Sequence, residues 1–123
     1  MGRSRIGAVA GETAVRTVLE HGNGSRDETA LAVRYLLQLL ADAAPGNTLE
    51  VRVPPFGAVQ CVDGPAHTRG TPPNVIEMDA GTWIALATGR LGWTAAVAAD
   101  RVSASGSRAS LAGMLPLEWN AGQ

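Results

Sequence analysis

The hydrophobic period of this chain changes abruptly at Pro45-Gly46-Asn47, and that change limits what the chain can fold into. Before it, apolar residues recur at helical spacing: Ala14, Val15, Val18 and Leu19, then Val33, Leu36, Leu37 and Leu40. After it, Leu49, Val51 and Val53 alternate with Glu50 and Arg52, the pattern of a strand with one buried face. Two leading helices followed by strands point to the α+β class.

The first helix is predicted over residues 10–21, with Glu12, Arg16 and Glu20 at four-residue steps on its wet side and Gly22 and Gly24 ending it. Ser25-Arg26-Asp27-Glu28 reads as a capping box, Ser25 accepting from the Glu28 N–H while Glu28 reaches back. The helix it opens runs to about Ala43, with Arg34, Gln38 and Asp42 on the solvated side. Pro54-Pro55 breaks the first strand, because proline cannot donate to a ladder. A second strand is expected at about Ala58 to Val62, a polar proline-bounded loop over 63–73, and a third strand from Val75 to Met78.

Asp79 suits the N-cap of a helix carrying Trp83, Ile84, Leu86 and Ala87 and closed by Gly89. A short helix from Trp93 to Ala99, a strand from Arg101 to Ser105 and a turn at Gly106 follow. Ser107 is expected to cap a last helix through Leu111 to Leu115, ended by Pro116. Residues 10–119 are read as one domain, with flexible ends at 1–9 and 120–123; there is no repeat and no long linker.

Composition narrows the partners. At 46% hydrophobic and 17% charged residues the chain is that of a folded protein, and with only 4% aromatics its core must be built mainly from aliphatic side chains. The net charge is −1 and the pI about 6.1, so no basic face is offered to nucleic acid. All ten basic residues are Arg, which fits a GC-rich, bacterial genome, and they are scattered, so no polybasic membrane patch forms. No apolar run is long enough to cross a bilayer, and the run at Ile6–Ala10 is too short for a signal peptide. With Cys61 the sole cysteine, a reducing, cytoplasmic setting is expected.

Few residues carry chemistry. In the loop, His67 is a candidate ligand contact and Arg69 a candidate clamp for a carboxylate or phosphate; equally, both suit a loop bonding its own backbone. Cys61 with His67 would make a nucleophile pair, but Cys61 sits in a strand beside Val59 and Val62, where a thiol serves as a small filler. His21 and His67 lack metal-ligand spacing, the glycines form no phosphate loop, and no cofactor or catalytic set is indicated. If a pocket exists, Trp83, Trp93 and Phe56 are its best candidate walls, with Trp119, Ile84, Leu86 and Leu111; core packing is the competing reading for each.

Asp79, Trp83, Ile84, Leu86, Ala87, Thr88 and Gly89, then Ala95-Ala96-Val97, Val102-Ser103-Ala104-Ser105-Gly106 and Ser110-Leu111-Ala112, resemble the sterol-carrier-protein family in type and order. The runs from Val51 to Phe56 and from Gly64 to Val75 resemble its small bacterial branch found in actinobacteria. The resemblance implies a twisted, mostly antiparallel sheet of about five strands with helices packed on one face and an apolar tunnel between; the periodicity supplies four strands. One departure is Asp100, where the family usually places Gly before the final strand. The function implied is a non-catalytic module binding an apolar or amphipathic small molecule, such as a lipid, acyl or sterol-like ligand. Two other readings stand: an interaction protein with a side-chain-filled core, its partner unspecified, and an enzyme or accessory domain acting through His67 and Arg69.

Overall fold

A computed structural model describes residues 4–22, 24–64 and 73–120. They form α1 (Ala8–His21), α2 (Arg26–Ala43), β1 (Leu49–Val53), β2 (Gly57–Cys61), β3 (Asn74–Glu77), α3 (Ala80–Thr88), α4 (Trp93–Ala98) and β4 (Ser103–Ser105).

The helix starts follow local chemistry. The Glu28 N–H donates to Ser25 Oγ at 3.1 Å and the Ser25 N–H donates to Glu28 Oε1 at 3.0 Å, so two otherwise orphaned donors are satisfied at the head of α2. Asp79 Oδ1 accepts the Thr82 N–H at 2.8 Å and holds the head of α3, while Gly89 closes that helix in the left-handed conformation at φ 87°. The first helix begins at Ala8, two residues earlier than its periodicity indicates, and the Ile6 backbone just ahead of it is hydrogen-bonded to α2.

Among the described residues the sheet has four strands in the order β2-β1-β3-β4 and is mixed. β1 pairs antiparallel with β2 and β3 antiparallel with β4, but β1 and β3 run parallel. The parallel pair needs no crossover helix. β2 ends beside the start of β1, with Cys61 opposite Leu49, and β3 begins there too, with Asn74 opposite Leu49. The described strands number four, where the resemblance implies about five.

Alternation sorts the two faces. Leu49, Val51 and Val53 point inward with their cross-strand partners Cys61, Val59 and Ile76. Glu50, Arg52, Gln60, Glu77, Ser103 and Ser105 line the other, solvated face, where Arg52 Nε donates to Glu50 Oε2 at 2.6 Å. α2 packs over β2 and is flanked by α1 and α3. The space between helices and sheet is filled by side chains with no exposure: Trp83, Leu36, Leu40, Val51, Ile76 and Leu86 among them.

The C-terminal part differs most from expectation. No helix forms from Ser107 to Leu115; the segment is a series of turns, with the Met114 N–H donating to Leu111 O as a single turn. Gly106 and Gly113 both take positive φ, 111° and 83°, which interrupts any helical run, and Pro116 lacks the donor to continue one. The segment is anchored instead by Leu117, buried and donating its N–H to Ala87 O at 2.9 Å. Trp119 is half-buried with Arg16 of α1 over its ring, 5.7 Å from the centroid, so the tail is held at this point. The final strand is shorter than the alternation suggests, and exposed. Asp100 takes φ 58°, so the turn usually given to Gly is made by an aspartate, one of the few side chains that tolerate that region.

Asn74 ties these parts together. It is buried, its Nδ2 donates to Thr48 O at 2.9 Å, and its Oδ1 accepts the Arg108 N–H at 2.9 Å. Asn74→Ala removes partners from both backbone groups and is expected to cost about 1–3 kcal/mol in urea unfolding; a midpoint shift within error would show that neither group depends on Asn74.

Candidate functional site

A recess lies on the outer side of α2. Leu31, Arg34 and Gln38 share one stripe of that helix at three- and four-residue spacing, with Leu37 beside them. Facing them are Phe56 in the β1–β2 turn and Gly57, Ala58 and Val59 of β2. A third wall is Ser4-Arg5-Ile6. Gln38 Oε1 accepts the Ile6 N–H and Gln38 Nε2 donates to Ile6 O, both at 2.9 Å. Arg5 reaches Asp42 with two bonds, of 3.1 and 2.6 Å. These walls border a solvent-open groove of about 590 Å³. The side read from periodicity as merely wet is thus partly covered.

Among the described residues its polar side chains are Ser4, Arg5, Arg34 and Gln38. Arg5 is engaged by Asp42, whose carboxyl its hydrogen bond holds below the usual carboxylate range. Arg34 Nε donates to Phe56 O at 2.8 Å, which ties the helix to the hairpin turn, and Arg26 lies over the Phe56 ring at 5.4 Å. Gly57 matters for the groove's width: a Cβ there would lie 3.5 Å from Leu37 Cδ1 and 3.6 Å from Arg34 Cγ.

Of the residues singled out in the sequence, Phe56 lines this groove. Trp93, Leu86 and Leu111 come together elsewhere, around a hollow of about 120 Å³ near Pro116, the size of a few heavy atoms. Trp83 and Ile84 belong to the packed core, Trp83 Nε1 donating to Val33 O at 3.3 Å. His67 and Arg69 lie outside the described residues. A cleft of about 550 Å³ beside β4 is lined by Glu77, Asp79, Asp100 and Arg101 among others. Its charges serve the fold: Arg101 donates to Thr82 Oγ1 through Nε at 3.1 Å and Nη2 at 2.8 Å, and Asp79, its carboxyl lowered by the Thr82 hydrogen bonds, caps α3.

Cys61 is fully buried, and burial pushes its thiol up to about 11. Near neutral pH it is a protonated filler and a poor nucleophile. A thiol-reactive disulfide reagent at pH 8 is expected to leave the native protein unmodified and to titrate one thiol after denaturation; rapid native reaction would contradict this burial.

A sequence model of a family described as bacterial SCP ortholog matches the chain over residues 25–117. The chain belongs to this bacterial, sterol-carrier-protein-like family. The match begins at the capping serine of α2 and ends at the buried Leu117, so α1 and the Ser4–Ile6 wall of the groove lie ahead of it. Comparison with proteins of curated function finds no match. No helix among the described residues is long and apolar enough to cross a membrane.

Proposed function

We propose that this protein is a non-catalytic binding module for an apolar or amphipathic small molecule, held in the groove between α2 and β2. The observation that carries the reading is the groove itself. Its volume of about 590 Å³ falls within the roughly 300–1,000 Å³ of small-molecule sites. Leu31, Leu37, Phe56 and Val59 supply apolar walls and Arg34 and Gln38 supply polar contacts. Membership of a sterol-carrier-like family supports a lipid or acyl ligand. Cytoplasmic residence, expected from the lone cysteine, is part of the same proposal.

The test is native mass spectrometry of the purified protein, followed by denaturing extraction of anything bound, and then titration with acyl chains. Wild type is expected to carry or take up one acyl or sterol-like molecule. Gly57→Phe, whose Cβ alone would meet Leu37 and Arg34, forces its ring to displace one of them; it is expected to abolish uptake at some cost in melting temperature, with a native far-UV spectrum as the control. Equal uptake by Gly57→Phe would remove the groove from the account.

A second reading has an observation of its own. The filled space between helices and sheet favours an interaction protein without a ligand, as Trp83, Leu36 and Ile76 occupy the volume a tunnel would need. A clean apo mass that stays unchanged with acyl chains would favour it.

A further inference from the structure

We infer that α4 is a self-association surface, on which a second copy of this chain docks two-fold symmetrically with Val97 of each copy seated beside Trp93 of the other. This surface shares no lining residue with the groove and stands independently of it. From Leu91 to Ala99 the chain carries no charged residue, although most of the run is exposed. Val97, 49% exposed, projects from it as an apolar knob. One turn back on the helix, Trp93 is partly buried at the edge of the hollow of about 120 Å³ that Leu91, Leu111, Leu115 and Pro116 also line. The walls of that hollow are apolar side chains and glycines, a lining that suits the isopropyl group of a valine better than it suits water.

The order of charge and shape along this run identifies the occupant as a second copy. Arg90 and Asp100, both exposed, stand at its two ends, and Ala95 lies midway between them. Ala95 is equally the midpoint of Trp93 and Val97. A two-fold axis at Ala95 therefore sets two antiparallel copies of α4 with Trp93 opposite Val97 and Arg90 opposite Asp100, each pair made twice. The exposed Ala95 methyl lets the helices approach closely at the axis. A parallel arrangement would set Arg90 against Arg90 and Asp100 against Asp100, so charge selects the antiparallel register. Among the described residues the ion pairs within the chain engage neither Arg90 nor Asp100. A contact built on one short helix falls below about 1,200 Å² in total, the class of weak, reversible associations.

The experiment is sedimentation equilibrium of the full chain near neutral pH and at low salt, from about 10 µM to about 1 mM, the range in which so small a contact is read. The average mass of the wild type is expected to climb from 12.7 kDa towards twice that value as concentration rises. Val97→Glu carries a charge to the apolar hollow, and Ala95→Lys sets two ammonium groups together at the axis. Each should stay at the monomer mass throughout. Both positions are exposed, so native far-UV spectra and unchanged melting temperatures are expected of both variants. Arg90→Glu faces Asp100 with a like charge and should weaken association at least about tenfold. In an Asp100→Asn background the same change should have a much smaller effect, because its partner charge is gone; asparagine tolerates the positive φ of that position. A monomer mass for the wild type across the whole range overturns the inference, and so does association that survives Val97→Glu or Ala95→Lys. Equal effects of Arg90→Glu in the two backgrounds overturn the antiparallel register, and the inference with it.

Discussion

Trp83→Ala is expected to lower unfolding stability by about 3–5 kcal/mol, a fall in melting temperature on the order of 10–20 °C for a domain of this size. The indole is the largest fully buried side chain, and its N–H donates to Val33 O in the middle of α2. Truncation would leave a void between α2 and α3, both of them held by further contacts, so the void cannot close. The same variant separates two pictures of this fold. If Trp83 walled a ligand tunnel, its removal would cost little stability and change ligand affinity. In the packed core described here, it costs stability and leaves the affinity of the surface groove unchanged. Calorimetry together with an acyl-chain titration reads both quantities; a loss under about 1 kcal/mol with altered affinity would contradict this placement.

Leu36→Ala should cost about 2–5 kcal/mol. Leu36 has no exposed surface, and α2 meets α1, α3 and β2, so neighbouring elements brace the site from several sides. Leu36→Met, close in volume, should cost under about 1.5 kcal/mol. Urea unfolding of the pair gives the contrast, and an unchanged midpoint for the alanine variant would refute the orientation of α2.

What was legible in the sequence was local. The capping box at Ser25, the alternation from Leu49 to Val53, and the Asp79 and Gly89 ends of α3 each depend on a few adjacent residues, and each appears as read. The last helix did not: Gly113 takes positive φ within it, and the segment turns instead, with Leu117 buried and bonded to Ala87 O. Parallel pairing of β1 with β3 was also out of reach: strand alternation names a face and says nothing about direction or neighbour. The groove was missed for a related reason. Its walls come from residues 4–6, 31–38 and 56–59, and Arg34 and Gln38 carry the polar character of a solvated face until Phe56 and Ile6 are placed against them. Phe56 marked it; Trp83 and Ile84 share the apolar character of a pocket wall, but composition does not distinguish a wall from a filled core.

The most direct measurement of the central claim is methyl NMR of the wild-type protein during titration with decanoate. The account predicts shifts at the Leu31, Leu37 and Val59 methyls around the groove, with Ile84, Leu86 and Leu111 unmoved. Shifts concentrated at Ile84, Leu86 and Leu111, with the groove methyls silent, would place the ligand away from the groove and contradict the account.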